Sequence, residues 1–375
     1  MSTIQTTNIK NAASVSNNIV LDGSGNAAFA GTATMSSSFL RNRLINGDCR
    51  IDQRNAGASL TVNSGSDFYA VDRFYASGEA ADGVFTFQRS TVVPAGFTNS
   101  IVATVTTADA SIGATQRYFI SQRVEGFNVA DFNLGTASAV TFTLSFWVRS
   151  SVTGTFGGSL SNGTSRYYPY SYTISAANTW EYKTVTVAGD TTGTWNTGNT
   201  VGLDVLFSLG CGSSRKGTAG AWSGSVFLAP TSSVDLIATN GAIFYLTGVQ
   251  LEVGSVATPF ERRLYGQEFM LCQRYFQQVG AGWTGMEENA TQFSMTTPFW
   301  VTMRAAPTSS LISTSILTRI PAISTDRTIT GCSIAAIDSS TYATWVFFNC
   351  SGGNVSGRFI QNRNGGNILN ASAEL

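Results

Sequence analysis

The sequence predicts an all-β protein with an extended N-terminal segment, a β-sandwich of the jelly-roll type, one short linking helix and a smaller C-terminal β domain. Three observations predict it. Charged residues make up only 12% of the 375 residues, about half the usual globular share, so Ser, Thr, Asn and Gly take the surface positions that Lys and Glu hold in helical proteins. Those residues favour turns and strand faces over helix interiors. Apolar and polar residues alternate with a period of two along one segment after another, and clusters of Gly, Ser, Asn and Thr punctuate the segments at hairpin spacing. Hydrophobic residues, at 43% with 11% aromatic, supply ample core.

Residues 1–40 form the first region. Lys10 and Asp22 are their only charges, and they lack Trp and Tyr. Asn18–Asp22 and Ala27–Met35 read as two short strands joined by a turn at Gly23–Asn26. Two strands cannot bury enough surface to stand alone, so this segment needs a docking partner. From 41 to 263 the chain reads as a sandwich. Its clearest strand is Ala139–Arg149, with Val140, Phe142, Leu144, Phe146 and Val148 on a core face and Thr141, Thr143, Ser145, Trp147 and Arg149 on a wet one. Val201, Leu203, Val205, Phe207 and Leu209 repeat the pattern, and Ile243–Val253 is apolar on much of both faces. Shorter strands are expected at Val84–Gln88, Ile101–Thr106, Arg117–Val124 and Lys183–Ala188. In 264–278, Tyr265, Phe269, Cys272 and Phe276 recur at helical intervals and predict the linking helix. Residues 279–375 return to strands, at Phe293–Thr297, Thr328–Ile337, Thr344–Asn349 and Arg358–Gln361.

Composition excludes several functions. There is no histidine, so a serine nucleophile lacks its commonest base. The net charge is zero and 19 Arg and 3 Lys form no basic run, which argues against nucleic acid as a partner. No apolar stretch reaches the roughly 20 residues of a membrane span, and no signal peptide opens the chain; the expectation is synthesis in a host cytoplasm without membrane insertion. The five cysteines (Cys49, Cys211, Cys272, Cys332, Cys350) are odd in number and lack metal-ligand spacing, predicting buried thiols rather than disulfides or a zinc site. No metal, cofactor or catalytic residue is assigned, and no ordered calcium loop is visible.

The enzymatic option that needs no histidine is paired-carboxylate glycoside hydrolysis, for which Asp204, Asp190, Glu181, Glu252 and the pair Glu287-Glu288 could serve. Sugar binding asks less: aromatic rings beside hydroxyl, amide or guanidinium groups. The candidate glycan contacts are Tyr167, Tyr168 and Tyr170 in the Tyr-rich run 166–172, with Trp180, Trp195 and Trp222. Aromatics in a sandwich also serve as core, and the sequence does not separate the two roles.

Three stretches carry a resemblance. Arg43–Arg54 (RLINGDCRIDQR) with Tyr69–Phe74 (YAVDRF) resembles the opening "INGDFRIWQR … ADRW" of a carbohydrate-binding-module-like jelly roll in bacteriophage tail fibres and receptor-binding proteins, of the aquatic or cyanobacterial phage type. Thr247–Ser255 and Ala257–Arg263 look like its closing strand, and Leu271–Phe276 (LCQRYF) like the helix that follows. Ile19–Asn26 leading to Met35–Leu40 is similar to the thin attachment segments of such fibres, and Val301–Thr308 resembles a segment that follows the helix. The sequence departs where Cys49 stands for an aromatic or Met and Asp52 for a frequent Trp. The resemblance implies a non-enzymatic virion component, on a tail fibre or alternatively a head fibre. It would be a homotrimer anchored to a tail, baseplate or adaptor protein through residues 1–40, binding host-surface polysaccharide or lipopolysaccharide. The alternatives are a structural decoration or spacer without a receptor site and a polysaccharide-depolymerising tailspike.

Overall fold

The computed structural model describes residues 8–9, 19–21, 27–29, 41–78, 82–280, 283–320, 325–352, 354, 357–362 and 367–375. The chain divides into two compact units, Met1–Arg41 and Asn42–Leu375. In the first, Ile19–Leu21 pairs antiparallel with Ala27–Phe29 as the sequence suggests, and on its other edge with Asn8–Ile9, which was not anticipated. The turn at Gly23–Asn26 and the continuation towards Met35 lie outside the described residues.

In the second unit, two six-stranded antiparallel sheets face each other. The first sheet runs, in spatial order, Glu181–Val187, Phe142–Ser150, Ile243–Val253, Ser100–Thr107, Val84–Ser90 and Leu60–Val62; the second runs Tyr167–Ile174, Gly154–Ser161, Val201–Cys211, Arg117–Glu125, Tyr75–Ser77 and Phe68–Tyr69. The chain passes repeatedly from one sheet to the other, for example at Ser100–Thr107, Arg117–Glu125, Phe142–Ser150 and Gly154–Ser161, which makes the sandwich a jelly roll. Phe142, Leu144, Phe146 and Val148 from one sheet meet Leu203, Val205 and Phe207 from the other, all fully buried. Burying each such side chain contributes about 1.5–3 kcal/mol.

Two details correct the strand reading. The supposedly wet face of Phe142–Ser150 is covered at Thr143 and Ser145: Thr143 donates to the Gly254 carbonyl, and Gln250, beside Ser145 in register, donates to Glu252 and Thr258 in the segment that folds back over this sheet. Only Trp147 and Arg149 stay partly exposed. The strand Gly154–Ser161 was not foreseen because its glycines break the alternation. Gly158 is required there, since a Cβ would sit 1.9 Å from the Leu206 carbonyl oxygen of the neighbouring strand.

The helix is shorter than its stripe, Tyr265–Gln273. Phe276 belongs instead to a strand, Phe276–Val279, that pairs with Leu369–Ser372, so the chain must leave the helix to enter this sheet. The C-terminal region has its own core around Trp283, Phe293, Met295, Val346, Phe348 and Ile360, with Phe293 and Phe348 stacked at 4.7 Å. Its seven-stranded sheet runs Thr325–Ile329, Ile316–Ile320, Arg358–Asn362, Thr284–Asn289, Gln292–Pro298, Ala343–Asn349, Ser333–Ser339. The single strand expected at Thr328–Ile337 is two, broken at Gly331, whose φ of 62° only glycine adopts readily.

The motif residues hold these parts together. Asn46, fully buried, donates to the carbonyls of Ile51 and Asp72 and accepts from the Ile51 N–H, while its own N–H reaches Glu268 on the helix. A Cβ on Gly47 would meet the Val249 carbonyl oxygen at 2.2 Å, so this glycine permits the closing strand to approach. Arg263 bonds the Leu44 and Asn42 carbonyls and Glu268. Glu125, from the second sheet, accepts both nitrogens of Arg274 at 3.0 and 2.6 Å and the Tyr275 hydroxyl at 2.7 Å. Arg54 and Arg73 both pair with Glu374, and Arg73 stacks on Tyr275 at 3.5 Å. Sandwich, helix and C-terminal strands thus share one buried ionic network.

Candidate functional site

The register of the second sheet sets side chains in rows on its outward face, because alternate residues of each strand share a face. One row is Tyr167, Ser161, Asp204 and Arg123; the next is Pro169, Ser159, Leu206, Ser121 and Tyr75; a third is Ser208, Phe119 and Ser77. Most of these residues line a groove of about 430 Å³, closed in by Asn162, Thr164, Asn196, Thr200 and Val226. Tyr75, Phe119, Tyr167, Leu206 and Leu228 form a small apolar cluster under it, with Tyr75 and Phe119 edge to face at 5.9 Å.

The polar groups over this floor are oriented by one another. Arg123 lies over the Tyr75 ring at 4.3 Å, pairs with Asp67 at 2.7 Å and donates to the Leu375 carbonyl. Arg117 lies over Phe119 at 5.8 Å. Asp204 accepts from the Ser121 hydroxyl at 2.5 Å. Burial pushes its carboxyl above the usual range, against the lowering effect of the Ser121 hydrogen bond and Arg123. Burial likewise pushes the Tyr75 phenol well up. The result is a concave surface of hydroxyls, amides, two guanidinium groups and two carboxylates on an aromatic base.

Of the six aromatic candidates, Tyr167 alone is among the residues that line this groove. Alternation turns Tyr168 and Tyr170 to the opposite face, into the sandwich core. Tyr170 corrects the sequence reading: it is 1% exposed and its hydroxyl donates to the Leu206 carbonyl, so it offers no ring to a ligand. Tyr168, Trp195 and Trp222 pack on one another, Trp222 lying 5.2 Å from Tyr168 and 5.3 Å from Trp195. Both indole N–H groups are spent on backbone carbonyls, those of Ala188 and Thr192. Trp180 sits against Tyr245, a residue of the first sheet. The groove residues missed by sequence reading had a signal: in Arg117–Glu125, the alternation of Arg117, Phe119, Ser121 and Arg123 is a polar and aromatic face of period two.

Among the candidate carboxylates only Asp204 lines the groove, and Asp67 joins it there. Asp190 grips Arg166 through two hydrogen bonds, Glu181 pairs with Lys183, Glu252 accepts from Thr258, Glu287 pairs with Arg327, and Glu288 accepts from Ser294. All five cysteines are buried free thiols. Among the described residues, no group of three or more Cys, Asp or Glu side chains is placed to hold a metal ion, and no helix is long and apolar enough to cross a membrane.

No family model matches the chain, and no curated protein matches it. Several solved structures resemble it weakly. A putative sugar-binding protein from Bacteroides thetaiotaomicron shares 11% identity at a TM-score of 0.32, covering 57% of this chain and 100% of that one. The enzymatically active domain of bacteriophage CBA120 tailspike protein 4 shares 14% at 0.30, covering 57% of this chain and 21% of that one. The family 11 carbohydrate-binding module from Clostridium thermocellum, solved with a mixed-linked tetrasaccharide, shares 9% at 0.26, covering 54% and 100%. At these scores the likeness carries no functional weight; the solved structures it touches include carbohydrate-binding modules and a phage tailspike domain.

Proposed function

We propose that this chain is a phage virion fibre protein that attaches the particle to a host-surface glycan. The groove on the second sheet is the glycan contact, the molecule is a homotrimer, and residues 1–40 are the attachment to the tail or its adaptor. The observation that carries the binding role is the groove itself. Its hydroxyl, amide, guanidinium and carboxylate groups converge on an aromatic base, the mixture that recognises sugar hydroxyls. The motif resemblance supports the virion assignment, and three weak sites on one body would add avidity. The reading is of a binding protein, not an enzyme.

The test is binding of the purified full chain to host cells or to extracted polysaccharide and lipopolysaccharide, with Arg117→Ala and Asn196→Ala as groove variants. Saturable binding that falls on the order of tenfold in the variants is expected. Binding that is absent in the native chain, or unchanged in both variants, would leave the structural-decoration reading in its place. One observation favours a second reading. Asp204 and Asp67 line one groove, burial raises the Asp204 carboxyl, and two carboxyl groups in one cleft are what a glycosidase requires. Release of oligosaccharide from host polysaccharide, abolished by Asp204→Asn, would establish it.

A further inference from the structure

The rings beneath the groove are largely covered, whereas the most exposed tryptophan lies elsewhere. Trp300 is 73% exposed. Such a residue is normally hidden, yet here the backbone beneath it is clamped: fully buried Gln277 accepts from the Trp300 N–H at 2.9 Å and donates to the Val301 carbonyl at 2.7 Å. The Phe299 N–H bonds the Tyr342 carbonyl and the Met303 N–H the Thr341 carbonyl. The indole therefore stands on a fixed loop.

Trp300 is one wall of an open recess of about 670 Å³ where the sandwich, the helix and the C-terminal strands meet. The helix contributes Phe269 and Gln273, the opening motif contributes Asp52 and Gln53, and the strand after the helix contributes Gln278. Gln53 is committed to Asp72 and to the Phe276 carbonyl, and Asp52 accepts the N–H groups of Asn55 and Gly57. Gln273 differs. It is 8% exposed, it lines the recess, and its side-chain amide makes no hydrogen bond among the described residues. Its amide opens on the recess, leaving both donor and acceptor free for a ligand seated there. An aromatic platform, a waiting amide and a carboxylate match a saccharide, which offers C–H groups to the ring and hydroxyls to both polar groups. No Lys or Arg lines the recess, so the matching sugar is uncharged.

We propose that this recess is a second saccharide site, selective for neutral sugars, with Trp300 as its stacking platform and Gln273 as its hydrogen-bonding partner. It uses none of the groove residues and stands whether or not the groove binds. The test is ligand-observed NMR and calorimetry on the full chain with glucose, galactose, mannose and N-acetylglucosamine, their linear hexasaccharides, and uronic acid oligomers as the charged arm. Affinity for a neutral member is expected to fall roughly tenfold in Trp300→Ala and to fall in Gln273→Ala, while Arg117→Ala leaves it unchanged. Because Trp300 is exposed, its variant should keep the native urea midpoint. The proposal is overturned if no neutral saccharide binds, if Trp300→Ala and Gln273→Ala bind as the native chain does, if uronic acid oligomers bind better than neutral ones, or if Trp300→Ala instead abolishes self-association by sedimentation, which would make the indole an assembly contact.

Discussion

Replacing Asn46 by Ala tests whether the opening motif is a structural keystone. Asn46 has a φ of 59° and makes three side-chain hydrogen bonds in a fully buried position. Ala removes all three. The Ile51 carbonyl keeps the Asp72 N–H as a partner, but the Ile51 N–H and the Asp72 carbonyl lose the Asn46 side chain. Two buried groups deprived of a partner cost about 1–3 kcal/mol each. A Cβ-bearing residue in the left-handed region adds about 1 kcal/mol, a penalty Asn tolerates better than Ala. The expected loss is about 3–7 kcal/mol, read from urea midpoints at a shared slope. Asn46→Gly should recover about 1 kcal/mol of it by relieving the backbone. Asn46→Asp, which also tolerates this backbone, should not recover stability, because its carboxylate would face two carbonyls where an amide now donates. A loss below about 1 kcal/mol for Ala, or native stability for Asp, would refute the role.

The pH dependence of stability should run opposite to ordinary acid denaturation over part of its range. Burial pushes the carboxyl of Asp72 up to about 6, and burial also raises Asp48, Asp204 and Glu268. A carboxyl whose folded value lies above its unfolded one, about 3.9 for Asp, binds more protons folded than unfolded between the two. Stability therefore falls as pH rises through that window. Asp72 alone accounts for about 3 kcal/mol, from roughly two units at 1.36 kcal/mol each. The urea midpoint should be higher at pH 4.5 than at pH 7, and Asp72→Asn should flatten the difference; a midpoint that falls steadily on acidification would overturn this. The thiols supply the third prediction. Burial pushes Cys211 and Cys332 up to about 11 and Cys49 and Cys272 well up, so the native chain should be inert to a thiol reagent at pH 8, with all five groups reacting in urea; rapid native labelling would contradict the burial.

What could be read from the sequence was what period-two alternation encodes. Phe142–Ser150 and Val201–Cys211 lie within a few residues of where alternation puts them, and Ile243–Val253 lies where a run apolar on much of both faces puts it. Alternation failed where another constraint dominated. Gly154–Ser161 carries glycines demanded by close strand approach, and the C-terminal turn of the predicted helix was captured by strand pairing at Phe276. The Tyr-rich run shows the limit most clearly. Its composition suggested a binding surface, but as the strand Tyr167–Ile174 it divides its rings between two faces, sending Tyr168, Tyr170 and Tyr172 into the core and leaving Tyr167 to the groove. Arg123 and Asp204 meet across a strand pair although 81 positions separate them, which no local pattern reveals.

The stretches that carry the family resemblance are occupied almost wholly by internal work. Asn46, Asp72, Arg73, Gln250, Arg263, Arg274 and Tyr275 satisfy buried partners in the network that joins the sandwich to the helix and the C-terminal strands. A substitution at any of them leaves a buried donor, acceptor or charge without its mate, and the cost of that is several times the cost of changing an exposed contact. The groove rows carry less of this internal work: Arg117, Phe119, Ser159 and Tyr167 face outward from a sheet whose inward residues make the sandwich core, and of the groove arginines it is Arg123 that bonds the C-terminal Leu375 carbonyl. Resemblance in the motifs therefore reports the scaffold and is silent on what the groove binds. The recess beside Trp300 is the exception, since Asp52, Gln53 and Gln273 come from those same motifs. There the aromatic ring comes from Trp300 of the C-terminal region. A site built this way exists only while sandwich and C-terminal strands are locked together. It follows that Asn46→Ala should weaken saccharide binding at Trp300 more than at the groove; equal weakening of both would mean that the recess does not depend on the junction.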